Sequence, residues 1–241
     1  DPCARIQEDH LRILRFFRFY AQLAPASYDR ASLQACIDLS PCLSHLSRER
    51  IGRETLKMLA SPNPYPSCAL IVRHHIWKEI LPDCTNLDRL SALLETETSF
   101  NAPPSALRRL AALLDAEPAS TAQSLRLSKA ETHHLESVMS LISHPERLTA
   151  PSTVRQTLYD DGAPATYDAL LLTNKNQFDT IATWEKPIFP LRGQDVHALV
   201  PKGPKMGARL KETEKWWRSH DFTPDKNACL EHFKSLKKAP E

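Results

Sequence analysis

Glu8, Asp9 and Arg12 are the residues of this 241-residue chain whose types and spacing most directly suggest chemistry. On a helix, Arg12 lies one turn beyond Glu8 and three residues beyond Asp9, so a guanidinium and a carboxylate are presented together. Taken alone, the spacing is also that of an ordinary surface ion pair, worth a few tenths of a kcal/mol. Further cations, Arg5, Arg15 and Arg18, share the stretch. A second set, Ser47 to Lys57, places Arg50 and Glu54 four apart, as a brace or as a solvated charged face. A third lies near the C-terminus: from residue 201 onward ten Lys and Arg, including Lys237 and Lys238, stand against six acids. There a helix opening near Gly207, flanked by Lys202, Lys205 and Arg209, suits either an anionic phosphate or an ordinary helix start with a basic face.

Other chemistry-bearing types are less well placed. Adjacent Trp216 and Trp217 on one helix predict one ring in the core and one at its edge. The doublets His74-His75 and His133-His134 lack a third ligand at metal-binding spacing, and the six cysteines never form C-x-x-C. Scattered reduced thiols are therefore expected, and no nucleophile–histidine set announces a hydrolase.

The elements that must position these residues read as helices throughout. With 41% hydrophobic and 25% charged residues the chain is neither a disordered polar tail nor a membrane protein, and its apolar runs are too short to span a bilayer. Five glycines against nineteen prolines disfavour hairpins and glycine-rich phosphate loops. Asp1 leads directly into an amphipathic pattern, which predicts no signal peptide and a chain cut from something longer.

Ile6, Ile13, Leu14, Phe17 and Ala21 mark one face of a helix over 3–23, stopped by Pro25. Ser32 caps a helix to Leu39, and further helices are expected over 46–59, 69–81 and 87–95. Pro103 and Pro104 open another, carrying Leu107 to Leu114. Ser128 and Glu131 have capping-box spacing for a helix carrying Leu135 to Ile142, and 152–159 and 164–172 follow. Nothing alternates with a period of two, so the chain is all-α.

The run Arg5-Ile6-Gln7-Glu8-Asp9-His10-Leu11-Arg12-Ile13-Leu14-Arg15-Phe16-Phe17-Arg18-Phe19 resembles the neck helix of class II bacterial tRNA nucleotidyltransferases and poly(A) polymerases, R-I-x-E-D-x-x-R-x-L-R-x-x-R-F. Glu49-Arg50-Ile51, Glu54 and Lys57 resemble the E-R-I-x-x-E-x-x-K segment that closes the neck. Weaker matches continue through Ile80-Leu81-Pro82, Asp88-Arg89-Leu90, Leu125 to Glu131, and Phe189 to Asp195 with Gly203 and Gly207. The resemblance implies an elongated arrangement: a neck over 1–60, a helical body over 61–185 and a basic tail over 186–241. It also implies a cytoplasmic enzyme that adds CMP and AMP to the 3′ end of tRNA without a template, with no membrane partner.

In that family the matching helix selects ATP and CTP. A guanidinium only donates and a carboxylate only accepts. Adenine and cytosine present a ring-nitrogen acceptor beside an amino donor, so Arg12 donates to the first and Asp9 accepts from the second. Guanine and uracil set donor against donor and acceptor against acceptor. Glu8, Arg5, Arg15, Arg50 and Glu54 are then the supporting residues, and Lys202, Lys205 and Arg209 the tail contacts to RNA. Magnesium in such enzymes is held by an Asp-x-Asp pair in an N-terminal catalytic head. This sequence has no Asp-x-Asp. The expectation is that this segment has no catalytic residue or metal of its own, transfers no nucleotide alone, and works with a head in cis or in trans. A non-catalytic RNA-binding module, a poly(A)-polymerase-type fragment and a helical scaffold remain the alternatives.

Overall fold

The computed structural model describes residues 1–23, 27–78, 80–115 and 117–236. These residues form helices and turns, with a single isolated antiparallel bridge between Cys84 and Leu114 and no strand among them. The all-α class follows directly. Contacts divide the chain into two compact units, one of residues 1–145 with 163–176 and the other of 146–162 with 177–241. The boundary expected near 61 falls inside the first unit and that near 186 inside the second.

The first unit opens with α1 (Pro2–Glu8) and α2 (Leu11–Leu23), where one continuous helix was expected. Asp9 breaks it. Its backbone is extended, at φ −156° and ψ 103°, and its carboxylate accepts the Leu11 amide at 3.1 Å, as a side-chain cap does. The bend lets α1 pack on α3 (Arg30–Leu39) while α2 packs elsewhere, burying Ile6 on one helix and Leu11, Ile13, Leu14, Phe17 and Ala21 on the other. Pro25, the expected stop, lies outside the described residues. Asp29, not Ser32, caps α3, accepting the Ser32 amide at 2.7 Å.

α4 (Arg48–Leu59) is capped by Ser47 and lies along α2; α5 (Tyr65–Arg73) also packs on α2, where buried Ser67 donates to the Phe17 carbonyl at 2.8 Å. The helix expected over 69–81 starts earlier and stops eight residues short. His75 takes a left-handed φ of 55° and the Ile76 amide closes back on the Ile71 carbonyl, a helix-ending turn that folds Ile76, Trp77, Ile80 and Leu81 into the core.

α6 (Leu87–Ser99) is capped by Asn86 and α7 (Ala106–Leu113) by Ser105 rather than by the preceding prolines. α8 (Pro118–Ser124) follows. α9 (Lys129–Ser143) carries both arms of the expected capping box, Ser128 amide to Glu131 at 2.7 Å and Glu131 amide to Ser128 at 3.3 Å. α10 (Pro151–Leu172) is broken at Gly162, φ 81°, as the two expected segments require; its second half completes the first unit.

The second unit holds the first half of α10, α11 (Phe178–Thr183), α12 (Gly193–Val196), α13 (Pro204–Ser219) and α14 (Lys226–Ser235). α13 starts three residues before Gly207. Its core is Leu191, Val196, Met206, Trp217, Cys229 and Phe233. Among the described residues no helix is long and apolar enough to cross a membrane.

Candidate nucleotide-reading site and its brace

The turn between α1 and α2 presents the motif residues. Arg12 donates its amide to the Asp9 carbonyl at 3.0 Å, so both side chains leave one turn of backbone. They are not paired with each other. Arg12 Nη1 donates to the Arg5 carbonyl at 2.8 Å and forms an ion pair with Glu8 Oε2 at 2.8 Å, and Arg5 reaches Glu8 at 3.0 Å. Glu8 therefore sits between two arginines, although it ends one helix and Arg12 lies in the first turn of the next. Asp9 is held by Arg50, whose Nη2 donates to Oδ1 at 3.0 Å and Oδ2 at 2.9 Å. Partial burial pushes the Asp9 carboxyl up, but the Leu11 amide and Arg50 outweigh it and hold the group below its ordinary value.

Arg50 and Glu54 do not bond to each other; each grips the neck at a different place. Glu54, buried on α4, accepts Arg18 Nε at 2.7 Å, with Lys57 at 3.9 Å. The contact from Arg18 was not singled out from the sequence. Arg15 is exposed, and its charge adds a smaller pull that lowers Asp9. Beside Arg12 lies a cavity of about 370 Å³ between α1, α2 and α3, lined by Arg5, Ile6, Arg12, Phe16, Ser32 and Cys36 among others; Asp9 is outside it. Burial pushes the Cys36 thiol up to about 12, Cys3 adding to the effect.

Of the three tail cations, Lys202 and Lys205 are exposed. Arg209 is turned inward instead: its guanidinium donates to the Phe233 carbonyl near the end of α14 and lies 4.5 Å over the Phe233 ring. Trp217 is buried and donates to the Pro224 carbonyl at 3.0 Å, whereas Trp216 stands at the edge, stacked on His232 at 4.2 Å. Asp160 and Asp161 are taken by Arg218 and Arg147.

Among the described residues no group of three or more His, Cys, Asp or Glu side chains is set to hold a metal ion. His134 instead meets Asp168 at 2.9 Å, within a buried cluster with Glu97, Arg108 and Arg109. Periodicity had passed over that cluster. Its one visible signal was a pair of arginines in an otherwise apolar helix, α7.

Residues 28–87 match the family described as the probable RNA and SrmB-binding site of polymerase A. The mouse mitochondrial CCA tRNA nucleotidyltransferase 1 is 27% identical over 95% of this chain and 56% of its own length. The CCA-adding enzyme of Geobacillus sp. (strain WCH70) is 40% identical over 72 residues, 30% of this chain and 18% of that protein. The CCA-adding enzyme of Bacillus stearothermophilus, solved with CTP, shares the fold at a TM-score of 0.65 and 18% identity, over 92% of this chain and 60% of that one.

Over nearly its whole length the chain is similar to CCA-adding enzymes, and it shares the fold of their helical C-terminal part. It spans little more than half the length of the relatives it matches.

Proposed function

We propose that this chain selects the incoming base and grips tRNA in the template-independent addition of CMP and AMP to the tRNA 3′ end. The observation that carries the reading is the single turn from which Asp9 and Arg12 both project, braced from α4 by Arg50. Arg12 uses only Nη1 on its neighbours, which leaves Nε and Nη2 to donate to a ring nitrogen. Asp9 shares its oxygens with Arg50 and Leu11, and a carboxylate has lone pairs enough to accept an amino group as well. Adenine and cytosine satisfy both residues; guanine and uracil oppose both. By analogy with base readout, such a bidentate contact discriminates by about 1–3 kcal/mol.

The cavity beside Arg12 is of the size of small-molecule sites, and Phe16 and Ile6 give it an apolar wall. Exposed Lys202 and Lys205 suit RNA phosphates, contacts that position without reading sequence. We assign the transfer itself to a catalytic head in cis or in trans, which would supply the Asp-x-Asp pair that this sequence does not contain. The proposed setting is cytoplasmic, while the mitochondrial name belongs to the mouse, human and zebrafish relatives. Two measurements test the reading. This chain should bind tRNA with an affinity that falls as salt rises. It should incorporate labelled CTP and ATP into tRNA only once a head is supplied; incorporation by the chain alone, or no tRNA binding at low salt, overturns it.

A further inference from the structure

The C-terminal end of α4 is not left to water. Arg109 Nη1 donates to the carbonyl of Leu59 at 2.7 Å, an orphan acceptor at that helix end, and to that of Ser61 at 2.6 Å, in the turn just beyond it. The rest of its fork is fixed by Glu97, whose Oε2 takes Nη2 at 2.7 Å and Nε at 2.9 Å. Glu97 Oε1 takes Arg108 Nε at 2.8 Å, and Arg108 passes on to Asp168 at 2.7 Å and the Pro103 carbonyl at 2.5 Å. The four charged residues are 2 to 6% exposed and balance as two cations and two anions, with His134 at the margin. Buried charge of this kind contributes little net stability against apolar residues of equal volume, so its best-attested use is to specify one arrangement.

The arrangement it specifies is the seat of α4. A helix rises 1.5 Å per residue, so Arg50 lies about 14 Å from Leu59 along the same rod. A tilt of about 4° at the anchored end then moves Arg50 by about 1 Å, enough to lose a hydrogen bond now at 2.9 Å. Arg50 and Glu54 are the groups that hold Asp9 and Arg18. We propose that Arg109, locked by Glu97, is a positioning residue for the Asp9–Arg12 reader, acting through the seat of α4 and the reach of Arg50. The inference rests on the base-reading proposal for its purpose but not for its geometry.

The test is the titration of the Asp9 carboxyl, followed by carbon NMR in the full chain without nucleotide. Arg109→Met should move the Asp9 midpoint upward while circular dichroism shows the helices retained, and Arg50→Ala should reproduce the rise. Arg109→Lys should restore the low midpoint only in part, since a point charge cannot donate the same fork. If Arg109→Met does not fold, the paired change Arg109→Met with Glu97→Met removes one charge of each sign and carries the same expectation. A folded variant of either kind with the Asp9 midpoint unchanged overturns the inference. In an enzyme completed with a head, the same variants should lower the preference for CTP over UTP by about tenfold. A risen midpoint with unaltered preference would support the coupling and overturn the base reading.

Discussion

A Cβ built on Gly52 would lie 2.1 Å from the carbonyl oxygen of Leu125, so α4 meets the backbone between α8 and α9 with no room for any side chain. The obstacle is main chain, which cannot swing aside as a flexible side chain can. Gly52→Ala should therefore destabilise the protein by about 3 kcal/mol, the upper part of the range for overpacking, despite alanine's better helix propensity. Gly207 in α13 has open space where a Cβ would go, and Gly207→Ala should be neutral or stabilise by up to about 1 kcal/mol. Denaturant midpoints of the two variants check the contrast.

Arg108 neutralises both Glu97 and Asp168 at 2% exposure. Arg108→Met leaves two buried carboxylates with one fewer partner and should cost about 3–5 kcal/mol. Adding Asp168→Leu to that variant should recover part of the loss, because the uncompensated charge goes with it. Equilibrium unfolding of the single and double variants measures the recovery.

Much of the fold was legible, and the misses share a physical cause. The capping box of Ser128 and Glu131 and the split of α10 at Gly162 and Pro164 are local signals, and both appear where expected. The break at Asp9 was not legible, because the apolar spacing runs across it and the capping acid is itself part of the motif. The early end of α5 was hidden likewise: no Gly or Pro marks His75, and Ile76, Trp77, Ile80 and Leu81 continue the apolar pattern while folding back. Within the candidate site the residues were legible but not their partners. Arg50 meets Asp9 across 41 positions, and Arg108 meets Asp168 across 60, separations that periodicity does not register. Arg209 reads as a surface cation in sequence yet closes the end of α14, because its guanidinium lies over the Phe233 ring and donates to the Phe233 carbonyl.

Thiol reactivity should follow burial. Burial, with smaller contributions from neighbouring acids or thiols, pushes Cys36 and Cys84 up to about 12, and it raises Cys68 and Cys229 as well. Cys3 and Cys42 are partly exposed. Since the thiolate is the reactive form, an aromatic disulfide reagent at pH 8 should label two thiols quickly in the native protein and all six after denaturation.

The second unit should weaken on acidification. Burial and the neighbouring His220 hold the His232 ring below its ordinary 6.5, against a smaller opposite pull from Glu212. A depressed folded value means the fold prefers the neutral ring, so the contribution is complete above pH 6.5 and is lost as pH falls through the folded value. The melting temperature of the wild type should fall more between pH 7.5 and 5.5 than that of His232→Gln, which has no titrating ring against Trp216.

The central claim is that Asp9 and Arg12 choose the base by donor and acceptor pattern. The most direct test is competition between CTP and UTP for addition to tRNA, in an enzyme completed with a catalytic head, comparing wild type with Arg12→Ala. The account predicts that the preference for CTP falls by about tenfold or more while tRNA affinity is kept. An Arg12→Ala enzyme that still adds nucleotides and discriminates against UTP as well as the wild type would contradict it.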